Sequence, residues 1–195
     1  RRDDPRLESL NRHSQRNLGD LIALGTGAGA QVVVSTMVSR LRDWPPFGSL
    51  HRGGLTEADR VEWERFYNAG VTAQTNRAFE AAIRNYESAA KLDETYADLH
   101  FQWGTCCLAL GQTNEAKTHL TLARDLDTLR FRTDSRHNES IRQTTARHAE
   151  RGVRLLDAER HFERQSKHGM PGEELLYEHV HFTFEGNYLL ARLFA

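Results

Sequence analysis

The sequence predicts an α/β protein that is interrupted by an all-helical insertion. Two short apolar segments, 30–38 and 153–157, are rich in β-branched or aliphatic residues and have the pattern of buried parallel strands. Between them, from about Leu55, helical periodicity takes over and repeats itself. The predicted segments are an α/β part at 1–54, helical repeats at 55–133, and the remainder of the α/β part at 134–195.

The first segment is predicted to contain a helix, a strand and a loop. Leucines at helical spacing indicate a helix over 6–27, and a glycine-rich stretch ends it. The strand at 30–38 follows. The segment Trp44-Pro45-Pro46-Phe47 must be a loop, because proline interrupts both helices and the hydrogen-bond ladder between strands. The loop leaves the carboxyl end of the strand, where open α/β sheets place ligand-binding loops.

The helical block repeats at an offset of 34 residues. The matched pairs are Gly70/Gly104, Ala82/Ala116, Tyr86/Leu120, Ala89/Ala123, Leu92/Leu126 and Asp93/Asp127. This order of small and large apolar residues resembles the tetratricopeptide repeat. Gly111 lies where that repeat turns between its helices, and the first copy has Arg77 there. The resemblance implies stacked helix pairs with a groove that could hold a peptide or protein partner.

The last segment is predicted to return to α/β structure. Asp134 or Ser135 could cap a helix that ends before Gly152. The strand at 153–157 follows, then a helix over about 159–165 and a loop. An apolar run at the end of the chain indicates a closing helix.

Composition describes an ordinary soluble protein. The 195 residues carry a net charge of −1, with 38% apolar and 27% charged residues, so there is no basic field that would favour nucleic acid. The longest apolar stretch, 28–38, is far shorter than the ~20 residues that a membrane-spanning helix needs, and no signal peptide is visible. The adjacent Cys106 and Cys107 indicate small core residues and favour the cytoplasm; no cofactor is expected.

The most informative motif lies near the end of the chain, where Glu178 precedes His181 by three residues and Gly186 follows five residues later. A histidine can take a proton from a nucleophile as a general base. A nearby carboxylate can hold the imidazole in the required tautomer and stabilise the imidazolium. The sequence therefore places an acid and a histidine close enough along the chain for such a pair.

This block resembles the last conserved block of the SGNH/GDSL hydrolases, in which an Asp, two residues and a His precede a turn glycine and the final helix. The segments 41–47, 125–132 and 171–188 resemble, more narrowly, a bacterial group of SGNH-like proteins in which tetratricopeptide repeats interrupt the hydrolase domain. The resemblance implies a flavodoxin-like parallel sheet and hydrolysis of an ester or O-acyl group. It also implies that His181 is the catalytic base and Glu178 the acid that orients it.

The chain departs from the family pattern in two ways. Glu178 stands where the family has aspartate, which lengthens the orienting arm by one carbon. The Gly-Asp-Ser-like nucleophile block is absent, as are the glycine and asparagine blocks that supply the oxyanion hole. We therefore expect a fragment or a degenerate family member that is inactive as this chain alone.

Three other interpretations stay open at this point. The chain could be a tetratricopeptide-repeat interaction module without catalytic activity. His181 could be a structural histidine. His179 and His181, with Glu178, could bind a metal, although no further ligand has diagnostic spacing.

Overall fold

The computed structural model describes residues 4–195, and these residues form eight α-helices and two short strands. The helices are α1 Pro5–Gly27, α2 Glu57–Thr75, α3 Phe79–Ala90, α4 Ala97–Ala109, α5 Thr113–Asp125, α6 Ser135–Ala146, α7 Ala158–Gln165 and α8 Phe184–Phe194. The strands are β1 Val33–Ser35 and β2 Arg154–Leu156. Two compact units result: a first unit, Leu41–Arg130, and a second unit that joins the segment up to Arg40 to Phe131–Ala195.

The predicted α/β fold class, with a flavodoxin-like SGNH-type sheet, is wrong. Strands occur in both predicted segments, but each has three residues, and they form a two-stranded parallel sheet in a mostly helical chain. The N–H of Thr36 still donates to the carbonyl of Leu156 at 3.1 Å, and after it the backbone leaves the ladder: Met37 exchanges hydrogen bonds of 2.9 and 2.8 Å with the side chain of Asn138. Val33 is 43% exposed, whereas a central parallel strand is covered on both faces. A β-branched run thus indicated extended structure without indicating the number of neighbouring strands.

The first unit contains the predicted helical block as two packed helix pairs. Helix α2 packs against α3, and α4 against α5, while α3 also contacts α4. Because short turns join the members of each pair, the paired helices run antiparallel. Trp63 and Tyr86 are buried between them, and a Cβ at Gly70 would overlap the Tyr86 ring. The identification of these helices as tetratricopeptide repeats stays a prediction.

Both helix pairs turn through a left-handed residue at the predicted position. Gly111 has φ 74° and Arg77 has φ 58°. Glycine adopts this conformation without steric cost because it has no Cβ atom. In arginine the Cβ atom makes the same conformation strained. The two turns therefore have the same shape despite different residues.

Two aspartates at equivalent positions of the repeat hold the segment that precedes α2. Asp93 accepts hydrogen bonds from the His51 ring (2.8 Å) and from the backbone N–H of Arg52 (3.0 Å). Asp127 accepts the backbone N–H groups of residues 47 and 48 at 2.8 and 3.1 Å. Both carboxylates are buried, so these bonds satisfy groups that would be costly to leave unpaired.

The second unit places helices around the short sheet. Helix α1 packs against α6, and a buried cluster that includes Phe162 and Leu176 joins α7 to the region before α8. Asp134 caps α6, as predicted, by accepting the N–H of His137. Asp157 caps α7 and also binds Arg142. Nowhere in residues 4–195 is a helix both long and apolar enough to span a membrane.

Candidate functional site

The predicted acid and histidine lie on a short closed loop in the second unit. Leu176 and Phe182 form an antiparallel bridge at its base. Inside that bridge, the backbone N–H of Tyr177 donates to the carbonyl of His181 at 2.9 Å. Residues 176–182, the site loop, therefore return on themselves and hold Glu178 and His181 close together.

Helix α8 fixes one side of the site loop. Thr183 caps the helix by accepting the N–H of Gly186 at 3.1 Å. A Cβ at Gly186 would overlap the carbonyl oxygen of Leu175, so only glycine permits this approach. The predicted turn glycine thus lies within the first turn of α8, where it allows close packing.

Arg40 fixes the backbone of the site loop from the interior. Its backbone N–H donates to the carbonyl of His179 at 3.0 Å, and its guanidinium donates to the carbonyl of Tyr177 at 3.0 Å. Arg40 is 9% exposed, and its own carbonyl accepts a hydrogen bond from Arg132 at 3.1 Å. The sequence analysis missed this residue, because no sequence pattern links position 40 to a loop more than a hundred residues away.

Glu178 and His181 are hydrogen-bonded to each other. Oε1 of Glu178 accepts from Nδ1 of His181 at 2.5 Å and from the backbone N–H of the same residue at 2.6 Å. The backbone N–H of Val180 donates to the same oxygen at 3.2 Å. A ring nitrogen that faces a carboxylate carries the proton, so Nε2 of His181 holds the lone pair of a neutral imidazole. We refer to Glu178 and His181 as the dyad.

A second histidine binds the other carboxylate oxygen. Nδ1 of His179 contacts Oε2 of Glu178, and the His179 ring meets the Phe131 ring edge-on, with centroids 6.1 Å apart. Its side chain is 24% exposed, against 80% for His181. From the sequence, His179 was predicted only as a possible metal ligand, although its position next to Glu178 was a signal that it could contact that acid.

The hydrogen bonds to Glu178 keep its carboxylate ionised. Burial raises the pKa of this carboxyl group, but the backbone N–H groups of His181 and Val180 and the His181 ring outweigh burial and lower the pKa to about 2. A permanently negative group therefore lies beside His181 at neutral pH. Such a group favours the protonated imidazole that a general base becomes during proton transfer.

The described residues supply a base but no nucleophile for it. Among residues 4–195, the His181 ring is hydrogen-bonded only to Glu178, so no hydroxyl or thiol binds Nε2. Cys106 and Cys107 are buried in the first unit, and burial raises the pKa of the Cys106 thiol to about 12. Within the same described range, no group of three or more His, Cys, Asp or Glu side chains is arranged to hold a metal ion.

Comparisons with protein-family models, with curated proteins and with solved structures find no match for this chain. The resemblance to SGNH hydrolases stays a prediction.

Proposed function

We propose that this chain carries the general-base part of a serine hydrolase of the SGNH/GDSL type, which acts on an ester or O-acyl group. His181 is the base and Glu178 the acid that orients it. The observation that carries the proposal is the hydrogen bond from Nδ1 of His181 to Oε1 of Glu178. It leaves Nε2, on an 80% exposed side chain, able to accept a proton from a nucleophile.

The chemistry follows from the free lone pair on Nε2. Nε2 removes the proton of a hydroxyl nucleophile as its oxygen attacks the ester carbonyl. The imidazolium then gives that proton to the leaving alcohol as the ester C–O bond breaks, and an acyl ester of the nucleophile forms. Water then gives a proton to Nε2 and attacks this ester; as the bond to the nucleophile breaks, the imidazolium returns the proton to the nucleophile's oxygen, which releases the acid and the free hydroxyl. No hydroxyl or thiol of residues 4–195 is bound to Nε2, so the proposal assigns the nucleophile and the oxyanion donors to a segment or chain that docks against the dyad.

Electrostatics support the same roles. A carboxylate whose pKa is about 2 stays negative throughout the pH range in which a histidine can act as a base. Its charge therefore stabilises the imidazolium without competing for the proton. The short sheet gives no support to the proposal, which depends on the dyad alone.

Hydrolysis of short-chain p-nitrophenyl esters tests the proposal at two levels. The 195-residue chain alone should show no turnover above that of His181→Ala, because it brings no nucleophile to Nε2. The product of the complete open reading frame that encodes these residues should be active. Its kcat should fall at least about 100-fold in His181→Ala and in Glu178→Gln.

His13→Ala is the matched control, because His13 is an exposed histidine on α1. It should leave the hydrolysis rate unchanged. Turnover by the 195-residue chain that disappears in His181→Ala would show that the nucleophile lies within the chain. A full-length product whose kcat is unaffected by His181→Ala would rule out the base role.

A further inference from the structure

The orienting acid of the dyad is a glutamate, Glu178, which contacts the histidine three residues later. A glutamate has one more rotatable bond than an aspartate, so its carboxylate can leave the required position more easily. In Glu178 the two oxygens have different partners. Oε1 binds the ring and backbone of His181, whereas Oε2 binds Nδ1 of His179.

His179 is itself held in place by two contacts that do not involve Glu178. Its carbonyl accepts the backbone N–H of Arg40 at 3.0 Å. Its ring meets the ring of Phe131 edge-on, at a centroid distance of 6.1 Å. A donor fixed in this way can restrict the carboxylate that it binds, because its own movement is restricted.

We propose that His179 is a positioning residue, which binds Oε2 of Glu178 and thereby keeps Oε1 directed at Nδ1 of His181. It acts through Glu178 and does not touch the nucleophile or the substrate. The inference rests on the proposed function, since it concerns the same dyad. In this arrangement the second histidine restrains the flexible glutamate side chain.

The tautomer of His181 reports this positioning directly, in the complete 195-residue chain and without any nucleophile. Two-bond proton–nitrogen NMR spectra of the ¹⁵N-labelled chain show which ring nitrogen carries the proton. The wild type should have its proton on Nδ1, because that nitrogen faces Oε1. His179→Leu removes the ring nitrogen that contacts Oε2, and the ratio of the Nδ1–H to the Nε2–H form should fall at least about threefold as the carboxylate moves away.

Two further variants separate positioning from general structural damage. His179→Asn keeps an N–H donor near the place of Nδ1 and should retain the wild-type ratio. Glu178→Asp gives the acid a shorter side chain that needs less restraint. In this background, His179→Leu should therefore change the tautomer ratio of His181 less than it does in the wild type. Far-UV circular dichroism establishes that each variant is folded.

The outcomes distinguish this inference from the proposed function. A wild-type His181 that carries its proton on Nε2 would remove the dyad and with it both proposals. A wild-type Nδ1–H form that His179→Leu leaves unchanged would overturn the positioning role alone. An Asn variant that behaves like the Leu variant would also overturn it. A loss of the Nδ1–H form in His179→Leu, with rescue by Asn, would support positioning even if the hydrolysis assay failed.

Discussion

The two units of the chain differ in how completely they bury their apolar side chains. In the first unit, Trp63, Tyr86 and Leu99 are at most 2% exposed, and the large apolar side chains exposed by at least half are three, Leu50, Val61 and Leu129. In the second unit, large apolar side chains remain in contact with solvent. Those exposed by at least half are Leu10, Leu21, Leu24, Met37, Phe131, Tyr177, Phe184, Tyr188 and Phe194. The dyad lies in the unit whose surface is less well covered.

The helix pairs of the first unit and the second unit also differ in the sequence distance between the residues that stabilise them. Helix pairs in the first unit join segments that are neighbours along the chain. In the second unit, Thr36 binds Asp157 across 121 residues, and Arg40 binds Tyr177 across 137. Local contacts leave a periodic trace in the sequence, whereas distant ones do not.

Overpacking of the first unit should give the largest effect. Ala82 and Ala116 are fully buried, so Ala82→Trp and Ala116→Trp should each lower the free energy of unfolding by on the order of 1–3 kcal/mol. Urea denaturation followed by far-UV circular dichroism measures the loss. Ala23→Trp is the control, since Ala23 is exposed on α1 of the second unit, and its effect should stay within about 0.5 kcal/mol. Losses near zero for both buried positions would mean that the alanines do not lie between the helices.

Sequence reasoning succeeded where the determinants were local. The helices at 6–27, 55–127 and 159–165 and the cap at Asp134 were predictable, because spacing and capping chemistry act within a few residues. The contact between Glu178 and His181 spans three residues and could be expected for the same reason. The size of the sheet could not, because it depends on whether other strands lie beside β1, which no local pattern records.

On acidification, His119 in the first unit should lose its contribution to stability at a higher pH than Glu178 in the second unit. Burial, and then the nearby His100, lower the pKa of His119 to about 4 from an unfolded value of 6.5. The unfolded state therefore binds more protons, and this contribution to stability is lost as the pH falls from about 6.5 towards 4. Glu178, in the second unit, has a folded pKa of about 2 against 4.5, so its contribution is lost only below about pH 4.5.

Between pH 7 and pH 5 we therefore expect the first unit to lose on the order of 1–2 kcal/mol through His119. All three tryptophans, at positions 44, 63 and 103, lie in the first unit, so urea titrations followed by tryptophan fluorescence report on it selectively. His119→Gln removes the titrating group and should reduce the difference between the two pH values. An unchanged pH dependence in that variant would show that the contact of 3.0 Å between the His100 and His119 rings does not govern acid stability.

The smallest expected effect concerns the two turns of the first unit, which have one shape but different residues. Arg77 has φ 58°, so Arg77→Gly should remove steric strain and raise the free energy of unfolding by about 0.5–1 kcal/mol. Gly111→Ala should lower it by about 1 kcal/mol, because it introduces the same strain at φ 74°. Arg77→Ala is the control: it removes the guanidinium but keeps a Cβ, so it should not stabilise the chain. If Arg77→Ala stabilised the chain as much as Arg77→Gly, the gain would come from the lost side chain and not from the backbone. The two turns would then differ in their side-chain contacts, although both have a residue with positive φ at the same position.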